Sequence, residues 1–238
     1  LDDANIRLAD CYFVTKKYAN AIKAYDKVIN NLGVGSDYAV YQKAISYGFL
    51  GDNEKKIQNL SGLVRNYEFT SLLDDALFQL ANTFVAVKNN TKAHETYTIL
   101  LTNHTKSSYI PKALLRQGLV YYNDNENQLA LTKFKKIVSD YPNSSEAREA
   151  VNNARNVYVD LGQVDAYAAW VKNISFANVT DADLDNTTYE AAENKFLEND
   201  TNKASVINLF LEKNRIDLLA MVYHKRGFFE RLIREPVI

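Results

Sequence analysis

Apolar residues recur at spacings of three and four along most of the chain. Ile6, Leu8, Ala9, Tyr12 and Phe13 form one stripe, and Ala21, Ile22, Tyr25, Val28 and Ile29 form the next. Residues three or four apart share one face of a 3.6-residue turn, so the pattern predicts amphipathic α-helices. Short runs interrupt the stripes at Lys16-Lys17, Gly51-Asp52-Asn53, Lys88-Asn89-Asn90, Asn123-Asp124-Asn125 and Leu161-Gly162-Gln163. Such runs suit tight turns, and each stripe pair therefore reads as a helix, a turn and a second helix. At Tyr141-Pro142-Asn143-Ser144-Ser145 the break is different: Pro142 stops one helix, and Ser144 or Ser145 can cap the next.

The stripes are periodic. A small residue followed three positions later by an aromatic occurs at Ala9 and Tyr12, Ala44 and Tyr47, Ala81 and Phe84, and Gly118 and Tyr121. The numbering gives steps of 35, 37 and 37. The next steps reach Arg155 with Tyr158, where the small residue is lost, and Ala192, where Lys195 replaces the aromatic. Twelve residues after each small position lie Ala21, Lys56, Ala93, Ala130, Tyr167 and Ala204, and four further on Tyr25, Leu60, Tyr97, Phe134, Val171 and Asn208. Ala and Gly together are only 33 of 238 residues, too few for this double phasing to be accidental. A methyl side chain lets two helix backbones approach closely while the neighbouring aromatic fills the adjoining gap.

These residues resemble the tetratricopeptide repeat, whose pattern is a small residue, an aromatic three on, an alanine twelve on and an aromatic after four more. The fourth unit, with Gly118, Tyr121, Ala130, Phe134 and Pro142, matches in full, whereas the initial Trp is missing throughout and the fifth and sixth units are degenerate. The resemblance implies an all-α fold, a right-handed α-α superhelix of about six helix pairs. They span approximately residues 1–35, 36–72, 73–109, 110–146, 147–183 and 184–213. The segment Tyr141 to Ala147, echoed by Tyr67-Glu68-Phe69-Thr70-Ser71 before Asp74-Asp75-Ala76-Leu77, is similar to bacterial envelope repeat proteins of the outer-membrane assembly lipoprotein and Tol-Pal-associated kind. That likeness implies a periplasmic or outer-membrane-associated location, with the cytoplasm as the alternative. Residues 214–238 fall out of phase, Ala220 coming only 28 after Ala192. Lys225, Arg226, Arg231 and Arg234 among Phe228, Phe229, Leu232 and Ile233 suit an amphipathic capping helix there, ahead of a membrane-surface or partner helix.

Charge narrows the function. Lys+Arg 28 against Asp+Glu 29 leaves no basic excess for a phosphate backbone, which argues against nucleic acid. Apolar runs such as Leu218 to Tyr223 are far too short to span a bilayer. Met221 is the sole methionine and Leu1-Asp2-Asp3-Ala4 reads as a helix start, so the chain is expected to be an excised or processed piece. The single cysteine, Cys11, falls between Ala9 and Tyr12 on a first helix and is expected to be a buried, inert thiol. His94, His104 and His224 lack the spacing of a metal site, and no phosphate loop or nucleophile motif occurs. No catalytic residue, metal or cofactor is therefore expected. Acid pairs at helix starts, Asp2-Asp3 and Asp74-Asp75, fit the helix macrodipole. The 26 asparagines include Asn59, Asn103, Asn173 and Asn186 in N-x-S/T triplets, which bacterial compositional drift explains better than glycosylation.

Repeat arrays bind partners on an extended inner face. Positions three before, one after and four after the small residue point about 120° away from the paired helix. They select Tyr41, Phe78, Asn82, Tyr122, Asn152, Asn156, Tyr189 and Glu193, with Tyr38 and Lys112 one turn earlier. Aromatic rings and amides suit a protein or peptide segment, although the apolar members equally suit packing against the next repeat. Some members of the family grip a C-terminal carboxylate with Lys and Asn on successive first helices, but Asp3, Ile6 and Asp10 at the corresponding face here would repel one. The expected function is a non-catalytic protein-interaction scaffold. The alternative is a regulatory or substrate-docking segment of a larger enzyme.

Overall fold

The structure, a computed structural model, describes residues 2–198. The expected capping segment 214–238 and the second helix of the sixth pair lie outside the described residues. Among the described residues there are eleven helices and no strand. First helices are α1 (Asp2–Val14), α3 (Ser36–Phe49), α5 (Leu73–Ala86), α7 (Ile110–Asn123), α9 (Ser145–Asp160) and α11 (Asp181–Glu198). Second helices are α2 (Tyr18–Asn30), α4 (Asn53–Asn66), α6 (Asn90–Asn103), α8 (Asn127–Asp140) and α10 (Val164–Val171).

Every helix pair turns in the same way. The middle residue of each turn is left-handed: Lys16 at φ 59°, Gly51 at 77°, Lys88 at 59°, Asn125 at 62° and Gly162 at 62°. The following amide donates to the carbonyl of the repeat's aromatic: Lys17 to Tyr12 at 2.8 Å, Asp52 to Tyr47 at 3.0 Å, Asn89 to Phe84 at 2.9 Å, Glu126 to Tyr121 at 2.8 Å and Gln163 to Tyr158 at 2.9 Å. This is the Schellman termination, which satisfies the last helical carbonyls at the cost of one left-handed residue. Asp52 then caps α4 by accepting from the Lys55 amide at 3.0 Å, and Asn89 caps α6 through the Lys92 amide at 3.2 Å. Ser144 caps α9 as expected, accepting from the Ala147 amide at 3.1 Å.

The alanine phase is the core. Ala9, Ala44 and Ala81 on first helices, and Ala21, Ala93 and Ala130 on second helices, are fully buried, as are Tyr25, Leu60, Tyr97, Phe134 and Val171 four residues after the second small position. Lys56 occupies an alanine position in α4, and its stem fits because Gly48 lacks a side chain: a Cβ there would lie 3.0 Å from Lys56 Cδ. Its ammonium donates to Gln79 Oε1 at 3.1 Å, and burial pushes its pKa down.

The chain divides into an N-terminal unit, Leu1–Val120, and a C-terminal unit, Tyr121–Ile238. In the first, one apolar cluster joins Ala9, Tyr25 and Ala39, and a larger one runs from Val40 to Ala113. Successive repeats are also tied by a recurring bond: Thr70 donates to Asp37 and Ser107 to Asp74, each at 2.6 Å. Asp74 therefore carries a tertiary contact beyond the macrodipole role expected of it. Cys11 is exposed, contrary to expectation. Two residues beyond Ala9 it is rotated about 200° away from the buried stripe, so its neighbours in sequence do not share its side of the helix.

The C-terminal unit departs from the pattern at Arg155. Its side chain reaches α11, donating from Nε to Thr187 Oγ1 and from Nη2 to Glu190 Oε2, both at 2.8 Å. The paired helix α10 has 8 residues where the other second helices have 13 or 14. Ala191 and Ala192 of α11 join Val159 and Val164 in a small cluster of their own.

Candidate protein-binding faces

In the N-terminal unit, Tyr38, Tyr41, Phe78, Asn82 and Lys112 all come from first helices, and each meets a defined neighbour. The Tyr38 hydroxyl donates to Asp10 Oδ1 at 3.1 Å, the same oxygen that receives the Tyr25 hydroxyl at 2.5 Å. Gln42 Nε2 donates to the Tyr38 oxygen at 3.1 Å, which fixes the ring further. Tyr41 is half-buried against the larger core cluster. Burial, then the charges of Asp75 and Asp74, push its pKa up to about 12. Phe78 stacks on Tyr109 with ring centres 4.8 Å apart and planes 25° apart. Tyr109 donates to Asp75 Oδ1 at 2.5 Å, and Lys112 Nζ lies 5.8 Å from the Tyr109 ring centre.

Two findings revise the expected face. Tyr109, which holds Phe78 and Lys112 together, was missed because it precedes α7 and occupies no position of the helical phase. An aromatic immediately before a helix start was its only signal. Asn82 is less available than expected: its Oδ1 accepts the Tyr97 hydroxyl at 2.7 Å. The Tyr25–Asp10 bond has the same spacing of 15 residues. The residue after the small position thus buttresses the second-helix tyrosine in both repeats.

In the C-terminal unit the expected residues separate. Tyr122 donates to Asp160, and burial followed by that bond pushes its pKa up to about 12. Asn152 is exposed on a cleft of about 720 Å³ between α9 and α11, lined also by Arg148, Arg155, Asn186 and the connection after α10. Asn156 is exposed outside that lining, and Glu193 is half-buried. Tyr189 is only 6% exposed, because α11 turns this side inward against its neighbours, and it is not open to a ligand as expected. The cleft follows from features that read as degeneracy in sequence, Arg155 in place of a small residue and the short α10.

Among the described residues no group of three or more His, Cys, Asp and Glu is placed to hold a metal ion, and no helix is long and apolar enough to cross a membrane. The tetratricopeptide repeat model matches residues 3–31, the α1–α2 pair, and residues 112–144, which include the unit that fits the pattern in full. These two segments each carry a tetratricopeptide repeat. Similar solved structures of this repeat architecture include MamA, 18% identical, covering 72% of this chain and 88% of that one with a TM-score of 0.60. The pilF protein of Pseudomonas aeruginosa is 12% identical over 97% of both chains, TM-score 0.58. PilW, a widely conserved type IV pilus biogenesis factor, is 14% identical, covering 97% of this chain and 98% of that one, TM-score 0.55. Identities this low establish the fold, an all-α, α-α superhelix of tetratricopeptide type. A comparison with curated protein sequences finds no match.

Proposed function

We propose that this tetratricopeptide-repeat chain is a non-catalytic protein-interaction scaffold whose N-terminal unit binds an extended or helical segment of another protein. The reading is carried by the Phe78–Tyr109 stack, with Asp75 holding the tyrosine hydroxyl and Lys112 beside the ring. Binding energy at protein surfaces concentrates in a few rigid aromatics, each worth about 2 kcal/mol or more when truncated. Here the rings are fixed before any partner arrives, which lowers the ordering cost of association. Asp10, Asp74 and Asp75 border the face, favouring an apolar segment carrying a basic residue over an anionic tail.

The Tyr141–Ala147 segment and the fold likeness to the pilF protein and PilW favour a bacterial envelope complex, of the outer-membrane assembly or Tol-Pal-associated kind. The repeat phase favours an array over 1–213 capped by 214–238. A docking segment of a larger enzyme is the second reading.

Capture of partners by the immobilised chain tests the proposal. Tyr41→Ala and Phe78→Ala should each release the partner while leaving the fold intact. Partners that survive both changes but are lost on deleting 214–238 would assign the interaction to the tail instead.

A further inference from the structure

The three turns α1–α2, α3–α4 and α5–α6 lie at one end of the N-terminal unit, because each helix pair doubles back through three residues. Ring contacts bring the first two together: Phe13 to Phe49 at 5.6 Å, and Tyr18 stacked on Phe49 at 4.8 Å with planes 5° apart. This end is unusually apolar for a surface, with Val14 78%, Phe49 60% and Leu50 52% exposed, and Val87 on the third turn. It is also basic. The turns and the first helical turn after each carry Lys16, Lys17, Lys55, Lys56, Lys88 and Lys92 against Asp52 and Glu54. Asp52 and Lys55 pair at 3.0 Å and Lys56 is bonded to Gln79, which leaves Lys16, Lys17, Lys88 and Lys92 against Glu54.

The opposite end makes the contrast. Leu32, Val34 and Phe69 on the connections between repeats are 85%, 92% and 99% exposed, so bare apolar side chains are not special to one end. The same span of residues there, however, holds Asp37, Glu68, Asp74 and Asp75 against Lys106 and Lys112. Only the turn end joins apolar side chains to an excess of cations.

We propose that the turn end of residues 1–120 is a peripheral docking edge for an anionic lipid surface. Phe49, Leu50 and Val14 enter the headgroup region, and the exposed Lys16, Lys17, Lys88 and Lys92 reach its phosphates along their flexible stems. A few apolar side chains alone hold a membrane only marginally, and a second, electrostatic contribution is needed; each lysine near an anionic surface strengthens binding roughly fivefold. The chemistry favours lipid over a protein partner because every cation on this edge is lysine, which is depleted at protein interfaces where arginine is enriched. This docking edge is independent of the aromatic face proposed above.

Flotation of the full chain with phosphatidylcholine vesicles, with and without phosphatidylglycerol, tests it. Retention should require phosphatidylglycerol and weaken at high salt. Lys16→Glu combined with Lys17→Glu should reduce retention on the order of tenfold or more. Both lysines are exposed, so this variant keeps the fold, which circular dichroism verifies. Phe49→Ser with Leu50→Ser should also reduce it, whereas Phe69→Ser at the opposite end and Phe78→Ala on the aromatic face should not. Indifference to anionic vesicles, or equal loss with Phe69→Ser, overturns the proposal. So does a protein partner released by the lysine variant while vesicles are ignored.

Discussion

The Tyr109 hydroxyl donates to Asp75 at 2.5 Å, tying the residue before one first helix to the opening turn of the first helix a repeat earlier. That bond, with burial and the carboxylate's charge, holds the phenol well above its ordinary pKa. It also presents the ring to Phe78. Tyr109→Phe keeps the stack and removes the bond, and should cost about 1 kcal/mol in urea unfolding with partner capture retained. Tyr109→Ala removes both, and capture should fall as it does for Phe78→Ala. Equal capture by the Phe and Ala variants would show that the stack plays no part in recognition.

The turns offer a stabilising change. Lys16 and Lys88 occupy left-handed positions that Gly51 and Gly162 fill elsewhere. An L-residue with a side chain pays about 1 kcal/mol there, so Lys88→Gly should raise stability by roughly that amount, and Lys16→Gly likewise. Gly51→Ala should do the reverse. A Cβ at Gly51 would meet nothing within 4 Å, so the loss would measure backbone strain without a steric clash. Denaturant midpoints of the three variants decide the matter.

The helical phase was legible because burial depends on local periodicity: Ala81, Ala93 and Tyr97 are buried where a 37-residue spacing puts them. The candidate face was legible only in outline. Phase locates a position on a helix but says nothing of what crosses over it, so it singles out Tyr41 and Phe78 but not the Tyr109 that stacks on Phe78. It equally could not foresee that Tyr97 would engage Asn82, because the partner lies on another helix. Arg155 was the hardest case. A lost alanine looks like decay of the repeat, and only the positions of Thr187 and Glu190 reveal a side chain bridging two first helices.

Close packing at the small positions predicts sharp intolerance of added volume. Ala81 is fully buried between its helix and α6, and Gly118 is buried in α7. Ala81→Leu or Gly118→Leu should overpack the repeat and cost on the order of 1 to 3 kcal/mol. Ala86→Leu, at an exposed position of the same α5 helix as Ala81, serves as the control and should leave the thermal midpoint nearly unchanged.

Alkaline pH should unfold the protein through its tyrosines. Burial, followed by nearby carboxylates, pushes Tyr41 and Tyr122 up to about 12 and raises Tyr25 as well, and the bond to Asp75, followed by burial, raises Tyr109. In the unfolded chain a phenol ionises near its ordinary value of about 10. Because the folded values lie above the unfolded one, the tyrosine contribution is fully present below pH 10 and is lost as pH rises toward 12. Lys56 and Lys133 work in the opposite direction: burial lowers their folded pKa, so stability rises as they lose their protons below their ordinary value of 10.5. The thermal midpoint should therefore hold or rise slightly up to about pH 10 and then fall steeply. Tyr41→Phe removes one ionising group without removing the buried ring, and its decline should be shallower than that of the wild type. A midpoint flat from pH 10 to 12 would mean that these hydroxyls are not held in the buried, acid-flanked settings described.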